Sequence, residues 1–154
     1  MENSEIMTST GDQSGWVTAS LSGPAFRTEL EAGARRHRFV ADEPAEVGGG
    51  DEGPTPYDYL LGAIGACTAM TLRMYARRKG WPLEEAVVRF RTARSHAADC
   101  AECESHPVGL AQLERRIELR GQLTDEQRQR LVSIADRCPV KQTLERGIQI
   151  AAEK

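Results

Sequence analysis

Apolar and polar positions alternate along residues 16–22, turn at Gly23-Pro24, and alternate again along 26–31, where Phe26, Thr28 and Leu30 interleave with charged neighbours. A two-residue period is the mark of strands with one wet face, and the turn residues between them make the pair a hairpin. Gly33 opens a third expected strand over 36–41, which Asp42-Glu43-Pro44 closes. The period then changes. From Tyr59 to Leu72 no charged residue occurs, and Leu60, Ile64, Cys67, Met70, Thr71 and Met74 recur at helical spacing. Thr55-Pro56-Tyr57-Asp58 supplies a capping threonine, a proline at the first helical position and an acid that can bond back to the cap. The helix is expected to run to Lys79 and stop at Gly80.

Alternation returns over 85–95, with Val88, Phe90 and Thr92 set against Arg89, Arg91 and Ala93. Residues 113–120 pair naturally with that strand, because Leu113, Ile117 and Leu119 can all face a core. Thr124-Asp125-Glu126-Gln127 is a second capping box, opening a helix whose apolar side is Leu131, Ile134 and Ala135. That helix ends near Cys138-Pro139. A short helix over 139–146 and a last strand over 148–151 complete the chain. Runs of strands followed by helices argue for an α+β fold with helices packed on antiparallel sheet.

The long helix has an unusual composition. Leu61, Ala63, Ala66 and Ala69 leave no polar face in its first half, so that half is expected to be buried all round. Gly62 and Gly65 each cost roughly 1 kcal/mol of helix propensity, which suggests another backbone packing closely there. One protomer with two principal helices has difficulty covering such a surface, so a homodimer is expected, with the partner supplying the missing face. The apolar run is shorter than the ~20 residues a bilayer requires.

At 154 residues the chain is sized for one domain, expected over 15–154 behind a loose polar tail at 1–14. A net charge of −3 offers no basic field for nucleic acid. The tail lacks a basic segment followed by an apolar one, so a cytoplasmic location without membrane attachment is expected. Four cysteines in such a chain point to redox or metal chemistry rather than to a disulfide framework. Cys67 lies mid-helix, where burial alone would raise its pKa, so a reactive Cys67 needs a nearby cation. Cys138, if Pro139 opens the following helix, sits at the positive end of a dipole that favours a thiolate. Its bland reading, a buried cysteine closing the preceding helix, has equal standing on the residues alone. His96, Cys100, Cys103 and His106 form a separate group of zinc-compatible donors. One short loop is a cramped source for four ligands, and a loop disulfide, free thiols or an auxiliary redox pair are the other readings of Cys100 and Cys103.

Three pieces of the chain together resemble the osmotically inducible protein C / organic hydroperoxide resistance family. They are Gly53-Pro54-Thr55-Pro56-Tyr57-Asp58-Tyr59-Leu60-Leu61 leading into Gly65-Ala66-Cys67, then Cys138-Pro139-Val140, and the strands with a glycine-rich loop ahead of the helix. The resemblance implies an antiparallel sheet wrapped around a long central helix in an intertwined homodimer. It implies a thiol-dependent peroxidase that reduces organic hydroperoxides, forms a Cys67 sulfenic acid and then a Cys67–Cys138 disulfide, and is recycled by a dithiol reductant such as dihydrolipoamide. No cofactor and no metal enter that chemistry. Family members also carry an acid upstream of the first cysteine and an arginine on its thiolate. Arg27 is the nearest match to the arginine, with Arg36 and His37 as rivals, while Tyr57 stands at the acid's position and Asp58 beside it is explained by helix capping. A second class of function, a non-catalytic or redox-sensing binding protein with a metal or redox site at Cys100 and Cys103, fits the same residues.

Overall fold

The computed structural model describes residues 15–92 and 112–151, and the chain divides into two compact units at Pro56. In the N-terminal unit β1 (Val17–Leu21), β2 (Thr28–Ala32) and β3 (His37–Ala41) form an antiparallel meander in the order β1-β2-β3. Leu30 of β2 lies opposite Ala19 on one side and Phe39 on the other, as the expected alternation requires. Trp16, Val17 and Leu21 remain exposed along β1.

The glycine-rich loop after β3 is organised by one carboxylate. Asp42 is buried, and its oxygens accept the backbone N–H groups of Glu43, Gly50 and Glu52 at 2.8, 3.0 and 3.1 Å. A single acid thus satisfies three N–H groups of the loop. Gly49 passes so close to the strand end that a Cβ there would sit 1.8 Å from the Glu43 carbonyl oxygen, so no larger residue fits.

The C-terminal unit begins with α1 (Pro56–Lys79), the element expected from the cap and the uncharged run. It stops as a Schellman motif: Gly80 takes φ +65°, its N–H donates to Arg77 O, and the Trp81 N–H donates to Ala76 O at 2.9 Å. Arg73 then bonds the carbonyls of Leu83 and Glu84 and fixes the turn into the next strand. β4 (Glu85–Thr92) and β5 (Leu113–Arg120) form a two-stranded antiparallel sheet, with Val88 opposite Ile117 and Phe90 opposite Arg115. On its outer face Arg91 pairs with Glu114 and Arg120 with Glu85, at 2.6 and 2.7 Å.

The second capping box is present as expected. Thr124 accepts the Gln127 N–H and Gln127 accepts the Thr124 N–H, opening α2 (Asp125–Ile134). A 3-10 turn over Ala135–Arg137 leads to Cys138, the N-cap of α3 (Pro139–Arg146), with Pro139 at the first helical position. Leu72 and Ala76 from α1 meet Leu83, Leu131, Ile134 and Ala135 in one core, with Val88, Ile117 and Leu119 of the sheet packed against it. Leu72 and Leu131 are both 0% exposed. Each such side chain contributes about 1.5–3 kcal/mol relative to exposure.

Three expectations change. The buried side of α1 is Ile64, Thr68, Leu72 and Ala76, at strict four-residue spacing, whereas Met70 and Met74 are 64% and 72% exposed. Because the helix is apolar or small on nearly every side, its pattern alone did not choose a face. The first half of α1 is not buried all round within the chain: Gly62, Ala63 and Ala66 are exposed, and a Cβ on Gly62 would meet nothing within 4 Å. Residues 148–151 form no strand, and Ile150 is 92% exposed, since an apolar alternation without an edge to pair with has no ladder to join. The segment carrying His96, Cys100, Cys103 and His106 lies outside the described residues, among which no cluster of metal-ligating side chains occurs.

The Asp42 knot has a pH consequence. Burial pushes its carboxyl up, but the N–H groups of Glu43, Glu52 and Gly50, with Arg27 nearby, more than offset this and hold it below the usual carboxylate value. A depressed carboxylate stabilises the fold fully above its unfolded value, about 3.9, and loses that contribution as pH falls through the lower folded value. Asp42→Asn should therefore lower the melting temperature at neutral pH and flatten its fall in acid. Thermal unfolding followed by circular dichroism at neutral and acidic pH checks both effects.

Candidate active site

Cys67 and Cys138, distant in sequence, come together in the C-terminal unit. Cys67 is half-buried on α1 and Cys138 is 0% exposed; both are free thiols. Cys138 reaches this position because the 3-10 turn after α2 reverses the chain and Pro139 starts α3 immediately afterwards. Its S–H points at the Ile64 carbonyl, 3.9 Å away, one turn before Thr68 on the buried side of α1. The Thr68 hydroxyl donates to the same carbonyl at 2.8 Å.

The surroundings favour a charged Cys138. Burial pushes its thiol up, but hydrogen bonds from the Thr68 side chain, the Lys141 N–H, the Cys67 side chain and the Val140 N–H outweigh burial, and the thiol titrates below its ordinary value. As a neutral thiol Cys138 makes no bond to cap α3. Once ionised it faces the first N–H groups of that helix, which carry the positive end of the helix dipole. The Thr68 hydroxyl has one proton and two claimants, the Ile64 oxygen and the Cys138 sulfur, so its bond can turn toward the sulfur when charge forms there.

Thr68 was not singled out from the sequence. Its signal was present: a hydroxyl at i+4 from Ile64 and i−4 from Leu72, on a stripe where every other member is apolar. Of the other sequence candidates, Arg27 belongs to the N-terminal unit, where its guanidinium pairs with Glu52 at 2.8 Å and Glu29 at 2.9 Å. Arg36 pairs with Glu31 at 2.6 Å and His37 lies exposed at the start of β3. Asp58 is exposed in the first turn of α1.

A cavity of about 830 Å³ opens within the C-terminal unit; neither cysteine lines it, and Ile64 is its link to Cys138. Tyr57, Leu60, Ile64, Phe90, Leu113 and Leu144 make its apolar walls, so that Ile64 contributes a side chain to the cavity and a carbonyl to Cys138. Arg115, Asp136, Lys141 and Glu145 bring charge to it. That volume falls in the range of small-molecule sites. Two thiols in contact, one of them biased toward its anion, are suited to two-electron sulfur chemistry.

With this arrangement in view, the comparisons with known proteins are specific. The OsmC-like protein family profile matches residues 48–153, and the chain belongs to that family. An OsmC-like protein from Mycoplasma pneumoniae superposes with a TM-score of 0.67 at 18% identity, covering 88% of this chain and 89% of its own. An OsmC-like protein of unknown function from Vibrio cholerae gives 0.62 at 9% identity, covering 82% and 90%. An organic hydroperoxide resistance protein, OsmC, from Legionella pneumophila gives 0.55 at 19% identity, covering 82% and 85%. No curated protein matches the sequence. At these identities the likeness carries the α+β OsmC-like fold, with its antiparallel sheets and helices. Among the described residues no helix is long and apolar enough to cross a membrane.

The contacts of Cys138 yield an expected outcome. Thr68→Val keeps the shape of the side chain but removes the hydroxyl, so the first thiol ionisation, that of Cys138, should move to higher pH. Ultraviolet absorbance of thiolate across a pH titration, wild type against variant, checks this, and an unmoved first ionisation would remove Thr68 from the site.

Proposed function

We propose that this protein is a cysteine-based peroxidase that reduces organic hydroperoxides, with Cys67 attacking and Cys138 resolving. The observation that carries the reading is the contact of the two thiols, one half-buried and the other enclosed among groups that stabilise its anion. Family membership and hydroperoxide-resistance relatives support it at a coarser level.

The chemistry follows from two thiols in contact. In the cycle the Cys67 sulfur attacks as thiolate at the distal peroxide oxygen and the O–O bond breaks. The departing alkoxide takes a proton and leaves as alcohol, while Cys67 becomes a sulfenic acid. Cys138 is then the stabilised thiolate. It attacks the Cys67 sulfur and displaces hydroxide, which leaves as water with one proton. Two thiols and one hydroperoxide thus yield a disulfide, an alcohol and water. A dithiol such as dihydrolipoamide returns the pair to thiols by exchange. The half-buried thiol is the one a peroxide can reach, which is why the attack belongs to Cys67. Arg27 is proposed as the cation that supports its thiolate, and neither metal nor cofactor enters the cycle.

The same reading makes the active species an intertwined homodimer in which sheets of both subunits wrap the central α1 helices. The exposed apolar residues Met70 and Met74 on α1, and Trp16, Val17 and Leu21 along β1, favour it. Residues 15–154 act as one functional domain behind the 1–14 tail, in the cytoplasm. Sedimentation equilibrium at micromolar concentration should give twice the chain mass; a stable monomer would end the dimer proposal and leave the thiol chemistry standing.

Turnover of an alkyl hydroperoxide with dihydrolipoamide tests the function. Cys67→Ser should cost at least roughly a hundredfold, more than about 2.7 kcal/mol of barrier, since no other side chain replaces the attacking sulfur. Cys138→Ser should consume a single equivalent and stop. Full turnover by Cys67→Ser would refute the assignment, and disulfide formation without turnover would favour a redox sensor.

A further inference from the structure

Tyr75 lies near the end of α1, packed with Trp81 against the core, and the two rings meet edge to face with centroids 5.6 Å apart. Long side chains on a helix lean back toward its N-terminus, so residues three and four positions after Tyr75 can reach over its ring. Both are cations, and both do so. The Arg78 guanidinium stands 5.3 Å and the Lys79 ammonium 6.0 Å from the ring centroid. A third cation arrives from α2: Arg130 stands 5.9 Å from the same centroid, and its Nε donates to the Tyr75 hydroxyl at 3.2 Å.

These charges gather without a counter-charge. Among the described residues no carboxylate pairs with Arg78, Lys79 or Arg130. The strand arginines of the same unit do otherwise, Arg89 meeting Glu118, Arg91 Glu114 and Arg120 Glu85. Glu126 stands one turn before Arg130, the favourable spacing for an ion pair, but it accepts the Thr124 hydroxyl at 3.0 Å and Arg130 turns to the phenol instead. Nor do the cations cover the end of α1, where the N–H groups of Gly80 and Trp81 already meet the Arg77 and Ala76 carbonyls. The helix dipole favours basic residues near this end, yet it gives no reason for them to converge with an arginine of another helix on one ring. The Tyr75 oxygen accepts from Arg130, which leaves the hydroxyl proton to donate elsewhere. The Arg130 bond, with the charges of Arg130, Lys79 and Arg78, outweighs desolvation and holds the phenol below its ordinary value, so that proton is a better donor than usual.

We propose that this cluster is a binding site for a diphosphate group, carried by a nucleotide or free as pyrophosphate. A single carboxylate would neutralise one of the three charges. A diphosphate meets all of them, and it has oxygens enough for two guanidinium forks, an ammonium and a hydroxyl. Arg78 and Arg130 grip phosphoryl oxygens, Lys79 adds a point charge, and the Tyr75 hydroxyl donates to the same group. The partly exposed Trp81 ring offers a flat apolar neighbour to a base when the ligand is a nucleotide. The site uses neither thiol, so it stands or falls apart from the peroxidase reading.

Calorimetric titration of the full chain with pyrophosphate, orthophosphate, adenosine diphosphate and adenosine tests this, near neutral pH and at low salt, where exposed cations are least screened. Pyrophosphate and adenosine diphosphate should both bind, pyrophosphate at least about tenfold more tightly than orthophosphate, and adenosine should not bind. Arg78→Gln and Arg130→Gln should each weaken pyrophosphate by at least about fivefold, and Tyr75→Phe, which keeps the ring and removes the hydroxyl, by about threefold. Arg130→Lys, which keeps the charge and loses the fork, should fall between wild type and Arg130→Gln, and it serves if the glutamine variant does not fold. Arg35→Gln removes the same charge from an exposed turn of the N-terminal unit and should leave binding unchanged. Tighter binding of adenosine diphosphate than of pyrophosphate would support the site with a nucleotide as its ligand, and equal binding would support it with the inorganic ion. Absence of binding by either, equal affinity for orthophosphate, or a loss in Arg35→Gln as large as in Arg130→Gln would overturn the proposal.

Discussion

The site depends on a thiol that is buried and yet biased toward its anion. An enclosed sulfur is ordinarily pushed toward neutrality, so Cys138 titrates below its ordinary value only because several donors converge on it. Those donors come from different places: the first N–H groups of α3, the Thr68 hydroxyl on α1 and the Cys67 thiol beside it. Each is fixed by the fold around it. The capping box at Thr124 sets where α2 starts, the 3-10 turn sets where it ends, and Pro139 opens α3 with Cys138 at the cap. The core of Leu72, Leu131 and Ile134 clamps α1 against this corner. Small shifts of α1 against α3 would break the contact between the two cysteines.

The bias also divides the labour between the two sulfurs. In the proposed cycle the accessible cysteine meets the peroxide and the enclosed one meets only its neighbour. Enclosure keeps the resolving thiolate from being oxidised itself, and proximity makes its attack an intramolecular step. The cavity adds an organic-sized space within the same unit. Its walls are largely apolar, and Arg115 stands on them in a position that alternation assigns to an apolar residue.

Much of this was legible in the sequence, and the reasons differ by element. The start and end of α1, the extent of β5 and the boundaries of α3 were readable because caps, alternation and proline act over a few neighbouring residues. The pairing of Cys67 with Cys138 entered through family resemblance, since contact between distant positions leaves no local trace. The buried face of α1 was not readable, because alanine, glycine and leucine occur on every side. The last expected strand failed because ladder formation needs an edge, which no stretch of sequence declares. Thr68, Arg115 and Asp42 share another lesson. Each is a polar residue at a position where periodicity or burial calls for an apolar one, and each proves to be bonded or aimed at something. Reading those exceptions as signals, rather than as noise on the pattern, would have found them.

The central claim is that one hydroperoxide molecule converts the two thiols into one bond. Reduced protein treated with one equivalent of an alkyl hydroperoxide, quenched with a thiol-alkylating reagent and weighed by mass spectrometry, reads this directly. The account predicts a loss of two hydrogens and a cross-linked pair of peptides containing Cys67 and Cys138. In the Cys138→Ser variant it predicts instead a gain of one oxygen on Cys67. Unchanged, fully alkylated Cys67 after treatment, or a disulfide that joins other cysteines while Cys67 and Cys138 remain free, would contradict it.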